Sequence, residues 1–237
     1  MTIEPQKCHF KTDERIALDN NTLHAAFGLD ARIREYAKKV RISVDDVMTY
    51  CNVGMLYPKN LSHEQRKSLN KLLAIIKSSY KKELRVVITP TVRSEVYDNR
   101  LSFSPTKPNI FFQNYMVEHI AFDERQQKFI DELTSDLLAK QEIQRQHKGH
   151  IYTRIMSAFD GNKNPNNFDH DARIFAESIF AGVNLFTFDS DFEKRELIYH
   201  TVKEFEKKHP ETKGISNFKI FPDVQKNKPQ DKYVFEK

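Results

Sequence analysis

The sequence predicts an α/β fold with a central, mostly parallel β-sheet flanked by helices. Three short apolar runs, at residues 15–19, 85–90 and 183–188, carry this prediction, because each is followed by a segment with helical patterning. Strands of a parallel sheet are buried on both faces and therefore show continuous apolar runs. Alternation of strands and helices along a chain is typical of α/β proteins.

The chain is long enough for one large core, since 39% of its 237 residues are hydrophobic. We therefore expect a single domain over residues 1–222, with helical insertions near 30–82 and 102–150. A last strand is expected at 218–222. Residues 223–237 carry few packing residues, and we expect them to form a C-terminal tail.

The first apolar run ends in an acid. Residues 15–18 are expected to form the first strand, which places Asp19 at the end of that strand. Residues 20–22 are expected to turn the chain and cap the helix that follows. Asp19 is therefore predicted at the edge of the sheet from which this helix leaves.

A capping pattern at Ser43 and Asp46 predicts a further helix that continues through Leu56. A rival interpretation makes residues 47–53 the first strand, with Cys51 in place of the first acid. The capping pattern favours a helix over this segment. We therefore prefer the interpretation that keeps the acid at the end of strand one.

The second apolar run, residues 85–90, is β-branched and ends in proline, which is typical of a buried strand. Thr91 is expected to cap the next helix, and Glu95 lies about one turn into it. Taken alone, Glu95 is interpreted as an ordinary exposed helical residue. Residues 102–114 are predicted to form an irregular loop whose aromatic residues pack or stack on bases, and 115–147 to form one or two helices.

Residues 170–192 combine a helix, a tight stop and a strand. Asp171 is expected to open an apolar helix, Gly182 to end it in the left-handed conformation, and Asp189 to follow the strand at 183–188. The carboxyl ends of strands in an open α/β sheet border the ligand crevice. Both acids are therefore expected to face one space, although an N-capping Asp and a turn Asp would give the same pattern.

Composition excludes several classes of protein. A formal charge of +5 permits a polyanionic partner without requiring one. Cys8 and Cys51 are far apart and form no C-x-x-C pattern, so we expect free thiols rather than a disulfide framework or a zinc site. No stretch approaches the roughly 20 apolar residues that span a bilayer, and no signal-peptide pattern begins the chain. We expect a cytoplasmic protein without membrane contact.

Four carboxylates are predicted at one end of one sheet. They follow strands or lie near helix starts, and they are Asp19, Glu95, Asp171 and Asp189. Such crowding is unfavourable unless a cation neutralises it. Hard oxygen ligands without Cys or His select Mg²⁺ or Mn²⁺ over zinc, and these ions support in-line cleavage of phosphodiesters.

The same segments resemble the PIN-domain ribonucleases. Segment 16–23 (IALDNNTL) is similar to the first strand of that family, and segment 88–96 (ITPTVRSEV) to its second strand and helix. The most specific resemblance is that of 171–178 (DARIFAES) with 185–192 (LFTFDSDF) to the closing motif of the family. The resemblance implies a three-layer α/β/α fold and a Mg²⁺- or Mn²⁺-dependent endoribonuclease whose ligands are the four acids. Asp191 is implied as a further ligand, with a cap of the helix that follows as its alternative role, and Asn21 and Thr187 occupy other polar positions of these motifs.

Four basic residues lie beside the acids in sequence and are expected to include phosphate contacts to an RNA substrate: Arg93, Arg100, Lys107 and Arg173. Each of them is as readily interpreted as part of a solvated face. The chain is longer than the compact toxin members of the family, so a toxin role with an antitoxin partner is less secure than the nuclease fold. Another protein partner, a homodimer and a catalytically inactive module that binds RNA or protein remain open alternatives.

Overall fold

A five-stranded, all-parallel sheet forms the centre of the computed structural model, which describes residues 14–57, 61, 63–98, 106–147, 167–187 and 195–221. The strand order is β3-β2-β1-β4-β5, so β1 lies in the middle of the sheet. The strands are β1 (Glu14–Leu18), β2 (Leu84–Ile88), β3 (Val117–His119), β4 (Asn184–Phe186) and β5 (Ile220–Phe221). The predicted α/β class with a parallel sheet is therefore confirmed.

Helices cover the sheet in two groups. Within the described residues they are α1 (Asn20–Val40), α2 (Val44–Tyr50), α3 (Val53–Leu56), α4 (His63–Tyr80), α5 (Pro90–Asp98), α6 (Thr106–Asn114), α7 (Glu124–His147), α8 (Asn167–Phe180) and α9 (Arg195–Lys208). Helix α1 contacts α2 to α6, whereas α7 contacts both α8 and α9. The chain passes from β1 to β2 on one side of the sheet centre and from β4 to β5 on the other side. Because such connections between parallel strands are right-handed, their helices lie on opposite faces of the sheet, which gives three layers. Among the described helices, none is long and apolar enough to cross a membrane.

Strand β1 is buried because it has a neighbour on each side. Ile16 pairs with Val86 of β2 and with Asn184 of β4, and Ala17 and Leu18 have no exposed surface. This position explains why residues 16–18 of β1 are apolar and buried. The end of β1 is therefore fixed by the core of the protein.

Helix α6 corrects the predicted loop over residues 102–114, because 106–114 are helical. The ring of Phe111 is fully buried, stacks on Tyr115 at a centroid distance of 4.1 Å and meets Phe27 edge-on at 5.1 Å. Pro108 lies in the first turn, where a helix tolerates it. Tertiary packing of aromatic side chains thus stabilises a helix that the local sequence pattern does not predict.

Strand β3 corrects the predicted helical segment over 115–147. Val117 to His119 form a short edge strand in which Val117 pairs with Val86, and α7 begins only at Glu124. The strand has three residues, too few for a sequence pattern. Its place is fixed by pairing with β2 and by Glu118, which accepts hydrogen bonds from Arg15 at 2.7 Å and Arg85 at 3.3 Å.

The rival first strand at residues 47–53 is rejected, because 44–50 form helix α2. Ser43 caps this helix as predicted, accepting the Asp46 N–H at 3.0 Å. The predicted continuation through Leu56 is wrong, since α2 stops at Tyr50 and Asn52 caps the separate helix α3. Cys51 lies between these helices with a free thiol whose pKa is raised by burial. Cys8 lies outside the described residues.

Gly182 ends α8 as predicted, with φ at 66°. The N–H of Gly182 bonds the carbonyl of Ile179 at 2.9 Å and that of Val183 bonds the carbonyl of Ser178 at 3.1 Å, which is a Schellman motif. An L side chain is strained at this φ, although a Cβ here would meet no atom within 4 Å.

We predict that Gly182→Ala lowers the free energy of unfolding by about 1 kcal/mol, because alanine is disfavoured at positive φ. The matched control is Gly28→Ala inside α1, where a Cβ also meets nothing within 4 Å. This control should stabilise by about 1 kcal/mol, because alanine favours a helix interior. Urea unfolding of both variants measures the difference. Changes of the same sign in the free energy of unfolding of the two variants would contradict this account.

A second prediction concerns pH. Burial would raise the pKa of the Glu118 carboxyl, but hydrogen bonds from Arg15 and Arg85 outweigh burial, and the pKa lies below its ordinary value of 4.5. The folded state therefore gains stability above that value and loses it as pH falls through the lower folded pKa. Between about pH 6 and about pH 3, wild type should lose up to ~1 kcal/mol more than Glu118→Gln. Identical losses in urea unfolding would show that the ion pairs contribute nothing.

Candidate functional site

The strand order reverses at β1, which has β2 on one side and β4 on the other. Crossovers that leave in opposite directions open a crevice at the carboxyl ends of these strands, where open α/β sheets bind ligands. Leu18 and Phe186 are paired residues at these ends. Asp19 follows Leu18 directly and Thr187 follows Phe186 directly, so this pair of polar residues lies at the switch point.

Asp19 is 4% exposed, and donors from α1 and from the end of β4 contact its carboxylate. The Thr22 N–H donates to Oδ1 at 2.7 Å, and the Thr187 hydroxyl donates to Oδ2. Asp19 is therefore the N-cap of α1, which corrects the prediction that residues 20–22 supply the cap. A carboxylate offers about four lone-pair sites and is an oxygen ligand that hard divalent cations accept.

Two asparagines continue the chain from Asp19 into α1. The Oδ1 atom of Asn20 is buried and accepts no hydrogen bond in the structure as described. Such an atom is costly unless a partner is supplied, and an amide oxygen is a ligand that hard divalent cations accept. Asn21, implied by the PIN resemblance, is exposed at the second residue of α1.

Glu95 and His170 join α5 to α8. The Nδ1 atom of His170 lies 2.7 Å from Oε1 of Glu95, and the side chains are 53% and 18% exposed, respectively. His170 directly precedes Asp171 in α8, so Glu95 contacts the helix that carries the predicted third acid. His170 is absent from the sequence-based candidates, because a residue 75 positions away cannot be paired with Glu95 by spacing.

Asp171 is half-buried in the second turn of α8, since that helix begins at Asn167. The prediction that Asp171 opens the helix is wrong, and so is the alternative that it is an N-cap. Its place within the helix is fixed by the buried residues that follow it, among them Ile174 and Phe175 at 1% exposure.

The other predicted acids cannot be placed. Asp189 and Asp191 lie outside the described residues, and the convergence of all four acids stays a prediction. Within the described ranges, no group of three or more His, Cys, Asp or Glu side chains could hold a metal ion. The structure brings Asp19 to Thr187 and Glu95 to His170.

The predicted phosphate contacts lie in different surroundings. Arg93 is exposed on α5, and it adds to the effect of burial in lowering the pKa of His119. Arg173 forms ion pairs within the protein, at 3.0 Å to Asp131 and 3.5 Å to Glu177. Arg100 lies outside the described residues, as does the side chain of Lys107.

Glu177 is a buried acid that sequence reasoning missed as a site residue. It is 1% exposed and accepts the Thr91 N–H at 3.1 Å and the Thr91 hydroxyl at 2.8 Å. The prediction that Thr91 caps α5 is therefore wrong. Thr91 is the second residue of α5, which Thr89 precedes, and it donates hydrogen bonds to Glu177 of α8. The sequence does contain an indication of this role, because Glu177 lies inside the apolar run of residues 174–181. A Glu in such a run is rarely buried without a partner.

A scan against protein-family models, a search of curated proteins and a search of solved structures each returned no match for this chain.

We predict that Asp19→Ala destabilises the protein by about 2 kcal/mol, because it leaves the Thr22 N–H and the Thr187 hydroxyl without their acceptor. Asp19→Asn keeps an oxygen of the same reach and caps a helix nearly as well, so its cost should be well under half as large. Urea unfolding compares the two variants. Equal losses would show that the hydrogen bonds of Asp19 do not stabilise this edge of the sheet.

Proposed function

We propose that this protein is a metal-dependent endoribonuclease of the PIN type. The observation that carries the proposal is the buried Asp19 carboxylate at the switch point of a parallel sheet ordered β3-β2-β1-β4-β5. In such sheets the crevice at the carboxyl ends of the strands is where ligands bind. The resemblance of segments 16–23, 88–96, 171–178 and 185–192 to PIN motifs supplies the reaction class.

The proposed metal site consists of carboxylates. Its ligands are drawn from Asp19, Glu95, Asp171 and Asp189, with Asp191 beside the last of them. Oxygen donors of this kind suit Mg²⁺ or Mn²⁺. Asp19 fits the role because it is a buried carboxylate at the switch point of the sheet, and Asn20 Oδ1, which accepts no hydrogen bond in the described structure, is a further oxygen at the same helix start. A bound ion would supply an activated water and stabilise the leaving oxygen of the phosphodiester.

Other residues of the chain hold the carboxylates of the proposed ligands in place. The Thr187 hydroxyl and the Thr22 N–H hold the Asp19 carboxylate in one orientation. His170 holds the Glu95 carboxylate against α8. Outer partners of this kind fix ligand geometry. Arg93, exposed on the same helix as Glu95, is the basic residue best placed to bind an RNA phosphate.

A second candidate function is a non-catalytic module that binds RNA or a partner protein. The observation that favours it is the Glu95 contact with His170, which occupies one oxygen of a proposed ligand. Titration with Mn²⁺ separates the two functions. An antitoxin or other protein partner and a homodimer would be compatible with either.

We predict that Asp171→Asn and Asp189→Asn abolish cleavage of a mixed RNA pool in the presence of Mg²⁺ or Mn²⁺. Each substitution keeps the size of the side chain but removes one negative charge, which lowers metal occupancy. Melting temperature without metal should be equal to or higher than that of wild type, because repulsion among carboxylates falls.

The control for these variants is Glu83→Gln, which removes the same charge from an exposed residue directly before β2. This variant should cleave RNA at the wild-type rate, and EDTA should stop both proteins. Wild-type cleavage by both Asn variants would contradict the nuclease proposal. Absence of cleavage and of Mn²⁺ binding in wild type would favour the binding module.

We predict that Arg93→Gln flattens the dependence of RNA affinity on salt. Loss of one phosphate contact to a single strand changes the slope of log K against log salt by about 0.7. The matched control is Lys203→Gln, an exposed cation on α9, which carries no proposed site residue. Fluorescence anisotropy in EDTA, over a series of salt concentrations, measures both slopes. An unchanged slope for Arg93→Gln removes Arg93 from the interface.

A further inference from the structure

We propose that Glu177 is a positioning residue that fixes helix α5 against helix α8 and thereby sets Glu95 against His170, the residue that precedes Asp171. The inference rests on the proposed function, because it concerns two of the proposed metal ligands. Glu177 itself is not a ligand, since its carboxylate is enclosed and bonded by the protein.

The first step is the contact between Glu177 and the start of α5. The first backbone N–H groups of a helix have no acceptor within the helix. Glu177 Oε2 accepts one of them, the N–H of Thr91, at 3.1 Å, and Oε1 accepts the Thr91 hydroxyl at 2.8 Å. A carboxylate at this end also interacts favourably with the helix dipole. The start of α5 is therefore held by a side chain from α8.

The second step is the charge balance. A carboxylate that is 1% exposed requires a partner, and Arg173 supplies it from one turn earlier in α8, with Nε 3.5 Å from Oε1. Arg173 Nη1 also lies 3.0 Å from Asp131 of α7. Thr91, Glu177, Arg173 and Asp131 thus form one chain of polar contacts across α5, α8 and α7.

The third step connects this chain to the site. Glu95 lies four residues after Thr91, on the same side of α5, and meets His170 of α8 at 2.7 Å. The contacts run in opposite directions along the two helices, 91 with 177 and 95 with 170, so the helices are antiparallel at this joint. The start of α5 therefore determines where Glu95 lies. Misplacement of a reacting group by about 1 Å can reduce activity by about 10²-fold.

The experiment compares four variants by calorimetric titration with Mn²⁺. Glu177→Gln removes the charge, Thr91→Val removes the hydroxyl at constant shape, and Thr91→Ser keeps the hydroxyl. The control Glu132→Gln removes a carboxylate that bridges α7 to Lys208 and His209, away from α5. Loss of an outer partner typically weakens metal binding by 10- to 100-fold. We expect about a tenfold loss for Glu177→Gln and Thr91→Val, and wild-type affinity for Thr91→Ser and Glu132→Gln.

A spectroscopic readout on the metal-free protein separates this inference from the proposed function. The ring signals of His170, assigned with a His170→Gln variant, report the contact with Glu95. They should shift in Glu177→Gln and Thr91→Val and stay unchanged in Thr91→Ser and Glu132→Gln, all at one pH.

Unchanged His170 signals in Glu177→Gln and Thr91→Val would overturn the positioning role, whether or not metal binds. Shifted signals with wild-type Mn²⁺ affinity would also overturn it, because the joint would then not govern the site. If the signals shift but even the wild-type protein binds no Mn²⁺, the result would support the positioning of α5 by Glu177 and contradict the nuclease proposal.

Discussion

The Asp19 carboxylate joins three elements at one point, and the candidate site depends on that junction. Its backbone continues β1, its side chain accepts the Thr22 N–H at the start of α1, and Thr187, directly after β4, donates to its other oxygen. Because β1 is buried between two strands, the core fixes the place of this acid. A proposed ligand is thus held by the same contacts that stabilise the centre of the fold.

A second buried carboxylate, Glu177, is used in the same way at the start of α5 but from a different helix. The two acids differ in their partners. Glu177 is bonded by Thr91 and balanced by Arg173, so its charge is used within the protein. Asp19 accepts hydrogen bonds from the Thr22 N–H and the Thr187 hydroxyl, and it precedes Asn20, whose buried Oδ1 accepts no hydrogen bond in the described structure. The contacts of Glu177 support a structural role, whereas the proposed ligand role of Asp19 rests on its place at the switch point of the sheet.

Local patterns in the sequence predicted the strands that form the middle of the sheet. Continuous apolar runs gave β1, β2 and β4, and Gly182 gave the end of α8, because these features depend on neighbours in sequence. Helix α6 and strand β3 escaped prediction because long-range packing and pairing stabilise them. The contacts between helices at the site were not predicted for the same reason, since Thr91 and Glu177 are 86 residues apart. The positions of Asp19 after β1 and of Glu95 inside α5 were predictable, but their partners were not.

The most direct test of the central claim, that a divalent cation binds at Asp19, is paramagnetic line broadening by Mn²⁺ in an amide correlation spectrum. Substoichiometric Mn²⁺ should broaden the amide signals of Thr22 and Thr187 before those of Glu83 and Lys203, which lie on exposed parts of other elements. The Asp19→Asn variant, which keeps the helix cap, should lose this selective broadening. Uniform broadening, or selective broadening that persists in Asp19→Asn, would contradict a metal site at the switch point of the sheet.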